Sequence, residues 1–158
     1  MTNITKTIQK NVHKLVKVAG FPNEMNMFIT SSFNASYLLN QIFTIEDLDL
    51  HGREYFIVLG LNRRNKVVVY DIVSQGGMTS TCVDIRAVFS TLITHASHSC
   101  IISHNHPSGN RLPSEQDKSL TRKLVKAGEI LDIPVLDHII IAAGEDNSYF
   151  SFSDEGIL

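Results

Sequence analysis

Apolar side chains recur at positions 4, 8, 12, 15 and 19, the spacing of one helix face, while Lys6, Lys10, Lys14 and Lys17 share the opposite face. Gly20 and Pro22 end that helix. A basic amphipathic helix can grip phosphates or an acidic partner, although its commoner fate is to lay the apolar side on its own domain. Asn26 to Thr30 is strand-like, and the spacing of Ala35, Leu38, Leu39 and Ile42 predicts a helix of about three turns. The acidic "IEDLDLHG" reads as a connector. The period then changes. "EYFIVLGL", Glu54 to Leu61, and the β-branched "KVVVYDIV", Lys66 to Val73, predict two strands that "NRRN" turns into an antiparallel hairpin.

"SQGGMTST" reads as loop, after which Asp84 is placed to cap a helix whose core face is Ile85, Val88, Phe89 and Leu92. Cys100 to Ser103 predicts a short buried strand. Ser114 is the expected N-cap of a helix running to about Leu131, with Leu120, Leu124, Ala127 and Leu131 at helical spacing and Gly128 weakening its end. Beyond Pro134, "VLDHIIIAA" and then "YFSF" add strands. Strands alternating with helices, without repeats or low-complexity linkers, predict an α/β or α+β fold: a single mixed β-sheet flanked by helices.

Composition narrows the setting. The 158 residues, 43% hydrophobic and 19% charged, suit one compact domain plus at most an appendage, and a net charge of −2 excludes a chain built as a whole to coat nucleic acid. Cys82 and Cys100 have no further partners, so neither a disulfide framework nor a four-thiolate zinc site is available. No signal-like amino terminus and no apolar run approaching about 18 residues is present. The expectation is a cytoplasmic protein with no membrane partner.

The run "IISHNHPSGNRLPSEQD", Ile101 to Asp117, carries the chemistry. In an extended chain side chains alternate, so His104 and His106 point the same way with Cα atoms about 7 Å apart, close enough for two imidazoles to converge on one ion, and Asn105 faces away. With Ser114 as N-cap, Asp117 falls in the first turn of its helix on the inward side, where the macrodipole favours a carboxylate. Gly109 and the two prolines of the intervening loop hold strand end and helix in a defined relation. Two nitrogens and one oxygen leave a fourth tetrahedral position for water, the pattern of a catalytic zinc site. Either half alone has a bland explanation, a surface His-x-His or a capping signature; their order and spacing favour a metal.

His104, His106, Ser114 and Asp117 match without a gap the His-x-His-x7-Ser-x2-Asp signature of the JAMM (JAB1/MPN) metalloprotease superfamily. "HNHPSG", "PSEQD" and "LDHIII" resemble more narrowly its bacterial RadC-like branch, from about Ile29 to Phe152. The resemblance implies a JAB1/MPN-like fold with cytidine-deaminase-like layering over residues 29–158, preceded by a basic helix and linker over 1–28. It implies one Zn2+ held by His104, His106 and Asp117, with water activated by an upstream glutamate at the start of a strand. Glu54 matches that position; Glu46 and Glu24 are its rivals. Ser114 would help stabilise the developing oxyanion. Asp137 and His138 are expected beside the ligands rather than among them. His95 and His98, at the end of a helix, could add metal affinity, but a cation near a helix carboxyl end suffices to explain them and neither is assigned to the site.

The implied activity is zinc-dependent cleavage of a peptide or isopeptide bond, in a peptide or protein conjugate. The chain departs from the family in two respects. Residues 1–28 are too short for the helix-hairpin-helix region common in RadC-like proteins, and the long insertions with which eukaryotic deubiquitinases grip ubiquitin are missing. The alternative is an accessory role in DNA repair or mobile elements through nucleic-acid or protein binding, with Lys6, Lys10, Lys14 and Lys17 as the contact.

Overall fold

The computed structural model describes residues 28–76, 83–144 and 148–158. The lysine-bearing helix expected over residues 4–19, Glu24 and Cys82 lie outside the described residues. The elements in chain order are α1 (Ser32–Ile45), β1 (Glu54–Leu61), β2 (Val67–Gly76), α2 (Ile85–Thr94), β3 (Ser99–His106), α3 (Glu115–Ile130), β4 (Val135–Ala142) and β5 (Tyr149–Ser151). The strands form one mixed sheet in the order β2-β1-β3-β4-β5, antiparallel throughout except for the β3–β4 pair. That parallel pair is joined through α3, the crossover that parallel strands require.

Period-two alternation divides the sheet into two cores. Tyr55, Ile57, Leu59, Ile101, Ile139 and Ile141 point to one face, which α1 covers with Leu38, Leu39, Ile42 and Phe43. Phe56, Val58, Cys100 and Ile102 point to the other, covered by Val88, Phe89 and Leu92 of α2 and Leu124 of α3. The sheet is buried on both sides, which explains why its strands read as nearly continuous apolar runs. His104 and His106 lie on the face shared with Ile102, and Asn105 on the α1 face, by the same alternation.

The helix starts follow their caps. Asp84 accepts from Arg86 N, and Ser114 forms a reciprocal capping box with Asp117. The helix ends carry no glycine signal, yet all three close by the same device. Asp47, Ala96 and Asp132 adopt positive φ of 52°, 50° and 53°. Leu48, Ser97 and Ile133 then donate back to the carbonyls of Phe43, Leu92 and Gly128 at 2.9–3.0 Å, the Schellman pattern.

Some boundaries differ from expectation. Before α1 only an isolated bridge, Phe28 to Lys66, stands among the described residues where a strand was expected. Ser31 caps the helix too soon for more. β2 continues through Ser74 to Gly76, where its antiparallel pairing with β1 outweighs weak local propensity. β3 runs past Ser103 to His106 because β4 pairs with it over that whole length. On α3 the buried row is Thr121, Leu124 and Gly128, and Leu131 is exposed because the helix has ended at its position.

Gly128 is required by packing rather than tolerated. A Cβ there would meet the Ile133 carbonyl oxygen at 2.5 Å, within the turn that closes α3. Gly128→Ala gains helix propensity of up to about 1 kcal/mol, but displacing a backbone carbonyl in a packed turn costs about 1–3 kcal/mol. The expected result is a net loss of about 1–2 kcal/mol, read as a lower urea midpoint at unchanged slope. A higher midpoint would mean that the turn relaxes freely.

Candidate metal centre

His104 and His106 leave the end of β3 on the face that α3 approaches with its amino terminus. His104 Nε2 lies 2.9 Å from His106 Nε2 and 3.2 Å from Asp117 Oδ1, and His106 Nε2 lies 3.5 Å from Asp117 Oδ2. Among the described residues these three form a His/Asp group able to hold a metal ion. Donors on a tetrahedral ion with bonds of about 2.0–2.1 Å stand about 3.3 Å apart, so the observed spacings fit one small cation.

The hydrogen bonds on the far side of each ring determine what the near side offers. His106 Nδ1 lies 2.6 Å from the Asn110 carbonyl, which can only accept, so Nδ1 carries the proton. Thr121 Oγ1 donates to the Asp117 carbonyl at 2.6 Å, so its 2.6 Å contact with His138 Nδ1 is one in which His138 donates. His138 is fully buried, and burial, followed by the neighbouring His104, pushes its pKa well below the ordinary range. Its neutral ring leaves Nε2 bare to accept from His104 Nδ1 at 2.8 Å. When neutral, each ligand ring thus aims an Nε2 lone pair at the point Asp117 faces, and an Nε2 that carries a proton donates to Asp117 instead. Two lone pairs and a carboxylate converging at about 3 Å require a positive charge between them, either a proton or a metal ion.

Buried aromatic rings pack against this arrangement on its inner side. Phe56 stacks on His104 with centroids 6.3 Å apart, and Phe152 stacks on His138 at 4.7 Å. Asp117 divides its two oxygens between tasks. Oδ2 accepts from Ser114 N and Ser114 Oγ, both at 2.7 Å, completing the cap, while Oδ1 faces His104. Asp117 also sits on the buried row of α3, one turn before Thr121.

Burial opposes the Asp117 charge, but hydrogen bonds from His104, His106 and Ser114 hold its pKa far below the ordinary carboxylate range. Burial likewise pulls the His106 pKa down, and the Asp117 hydrogen bond, the Asn110 carbonyl and the charges of Asp117 and Glu54 outweigh it, leaving the pKa raised above 6.5. In metal-free protein this His106 contribution to stability is fully present below the unfolded value of 6.5 and fades as pH rises through the raised folded value. Metal competes with that proton for the same nitrogen, so its stabilisation has the opposite sign. Thermal melts of chelated and Zn2+-loaded protein from about pH 6 to about pH 9 are expected to diverge as pH rises. A constant gap would show that no proton is displaced.

A cleft of about 530 Å³ opens beside the donors, lined by Glu54, His51, His106, Ser114 and the intervening loop residues Pro107, Ser108, Asn110, Leu112 and Pro113. The loop is anchored to the ligand strand: Gly109 N and Ala143 N both donate to the His106 carbonyl. Gly109 has φ 76°, and a Cβ there would meet the Ala143 carbonyl oxygen at 2.9 Å, so both conformation and space call for glycine.

Glu54 is half-buried at the head of β1 and lines this cleft. Its rival Glu46 lies elsewhere, accepting from the Tyr70 hydroxyl at 2.5 Å. Ser114 lines the cleft, with its hydroxyl proton directed to Asp117 Oδ2. His138 contacts His104 directly. Asp137 points to the other face, where it accepts from Ser151 Oγ, Ser153 N and His138 N and ties down the C-terminal turn. His95 and His98 precede the opposite end of β3, and Lys6, Lys10, Lys14 and Lys17 are outside the described residues. Thr121 went unnoticed in the sequence, although its position one turn after Asp117 on the inner row was an available signal, and Asn105 was read only as facing away from the two histidines. Among the described residues no helix is long and apolar enough to cross a membrane.

Comparison with known proteins agrees with the geometry. The model of the RadC-like JAB domain family matches residues 30–157. A UPF0758 protein of Flavobacterium johnsoniae is 44% identical over 129 residues, covering 82% of this chain and 53% of the relative. One from Desulforamulus reducens is 37% identical over 142 residues, covering 90% and 59%, and one from Symbiobacterium thermophilum is 43% identical over 105 residues, covering 66% and 44%. The chain spans about half the length of these curated relatives.

Proposed function

The chain belongs to the family of RadC-like JAB domains, and from that premise we propose that it is a zinc-dependent hydrolase of peptide or isopeptide bonds. His104 Nε2, His106 Nε2 and Asp117 would hold the ion; two neutral imidazoles and one carboxylate are a donor set suited to zinc. When bound, zinc supplies Lewis acidity toward a carbonyl oxygen and lowers the pKa of water.

The chain's own residues would do the rest. Glu54, the carboxylate in the cleft, takes a proton from water and returns it to the leaving amine. Ser114 donates a hydrogen bond from its hydroxyl to the substrate oxygen once the side chain turns away from Asp117 Oδ2, leaving the Ser114 N–H to Asp117 Oδ2 part of the cap intact. His138 and Thr121 hold the His104 tautomer, and the Asn110 carbonyl holds that of His106. Phe56 and Phe152 keep water from the inner ring edges.

The observation that carries this reading is the convergence of two tautomer-locked nitrogens and a carboxylate beside a cleft lined by a further carboxylate, Glu54. Elemental analysis of protein purified without chelator, followed by mass spectrometry of peptide and lysine-conjugate libraries incubated with the Zn2+-loaded protein, tests it. About one zinc per chain and new termini that vanish on chelation are expected. Protein that takes up no divalent metal, or that is loaded and cuts nothing in either library, would count against it.

A further inference from the structure

Asn105 stands between the two candidate ligands yet points through the sheet to the opposite face, where it is wholly buried. There, among the described residues, its side-chain amide bonds to the backbone of the segment that delivers Glu54. Nδ2 donates to the Leu50 carbonyl at 3.0 Å and to the Arg53 carbonyl at 2.8 Å, and Oδ1 accepts from Tyr55 N at 2.8 Å. The chemistry fixes the orientation of the amide, since two carbonyls need the NH2 end and an N–H needs the oxygen. The backbone groups held are the residue before Glu54 and the residue after it.

The sheet explains why a side chain is needed there. The β1–β3 ladder begins at Phe56 with His104, so β3 supplies no backbone partner to Tyr55 or to the residues before it. Without Asn105, the N–H of the buried Tyr55 and the carbonyls of Leu50 and Arg53 would lose those bonds, and among the described residues the strand pairing that holds the chain at Glu54 would be that with Gly76 on the β2 side.

We propose that Asn105 is a positioning residue for Glu54, a bracket that ties the segment bearing the proton carrier to the strand bearing the two histidine ligands. One residue thereby sets the distance between carboxylate and ligand pair, because its backbone is continuous with His104 and His106 and its side chain grips both neighbours of Glu54. This rests on the reading of Glu54 as the group that moves the proton. An offset of about 1 Å in such a group costs about 100-fold in rate.

The test compares Asn105→Ala, Glu54→Gln and the double variant, each loaded with Zn2+, on the library peptide that the parent protein cuts fastest. Asn105→Ala is expected to lower kcat by about 10- to 100-fold with little change in KM, and to leave Zn2+ affinity, measured against a chromophoric chelator, unchanged within about twofold. Hydrogen exchange at Tyr55 should be faster. In the Glu54→Gln background the same substitution should cost nothing further, because there is no longer a base to misplace. If Asn105→Ala folds poorly, Asn105→Ser, which keeps one donor and one acceptor, should give a smaller loss of the same kind. An equal rate loss in the presence and absence of the Glu54 carboxylate, or weakened Zn2+ binding, would overturn the proposal and make Asn105 a support of the ligand strand. Undiminished turnover by Glu54→Gln alone would instead remove the reading of Glu54 on which it rests.

Discussion

Glu54→Gln keeps its metal and loses turnover, by about 10²- to 10⁴-fold, the range that a positioned general acid–base contributes. The substitution is nearly isosteric and the amide can be accommodated where the carboxylate lines the cleft, but it has no basicity to take a proton from water. Glu54 is not among the converging donors, so metal content should stay at the parent level. Its charge contributes to raising the His106 pKa, as the last of several causes, so the variant should also bind Zn2+ at slightly lower pH than the parent. Rates on a cleaved library peptide, with zinc measured in the same samples, decide the matter. Full activity would take the proton-transfer role from Glu54, and loss of zinc would make it a ligand.

Asp117→Asn should abolish metal binding while leaving the fold intact. The two oxygens of Asp117 serve different ends: Oδ2 closes the cap on Ser114 and also stands 3.5 Å from His106 Nε2, and Oδ1 faces His104 Nε2 at 3.2 Å. An asparagine can place its carbonyl oxygen at the cap and its NH2 toward His104, where it donates to the Nε2 lone pair instead of sharing a cation with it. The loss of a charged ligand should weaken Zn2+ binding by more than about 100-fold, since partners of ligands alone are worth 10- to 100-fold. Removing the negative charge from the first turn of α3 costs about 0.3–1 kcal/mol. Metal-free stability, compared above the raised His106 pKa so that the ring is neutral in both proteins, should therefore change by no more than about 1 kcal/mol. Asp117→Ala, which loses cap and ligand together, should show both defects. An asparagine variant that holds Zn2+ as tightly as the parent would remove Asp117 from the ligand set.

The proposed relay behind His104 adds a condition to both experiments. His104 offers a lone pair because His138 is buried and neutral and because Thr121 spends its only proton on the Asp117 carbonyl. The carboxylate's own residue thus anchors the tautomer of its fellow ligand, through a backbone group that the Asp117→Asn change leaves in place. Variants at Thr121 or His138 would perturb both at once, which makes them poorer separators of fold from chemistry.

Periodicity and capping chemistry are local, and the features that depend on them were legible in the chain. The runs at Glu54–Leu61 and Val135–Ala142, the caps Asp84 and Ser114, and the one-sided projection of His104 and His106 all follow from side-chain spacing over a few residues. Helix ends were less legible, because Asp47, Ala96 and Asp132 occupy left-handed positions where a glycine would have announced itself. The lengths of β2 and β3 were underestimated because partners far along the chain carry them past their apolar cores.

Sequence spacing alone therefore determined the sheet-and-helix alternation, the candidate donor types and the side of β3 from which two of them emerge. Tertiary structure alone decided that Asp117 meets those rings, with Oδ1 3.2 Å from His104 and Oδ2 3.5 Å from His106, that Glu54 rather than Glu46 shares their cleft, and that His138 and Asn105 serve opposite faces of one sheet. The physical reason is that periodicity fixes only directions relative to the local backbone. Distances between residues 50 positions apart, such as Tyr55 and Asn105, depend on strand order and register, which the packing of both apolar faces selects collectively.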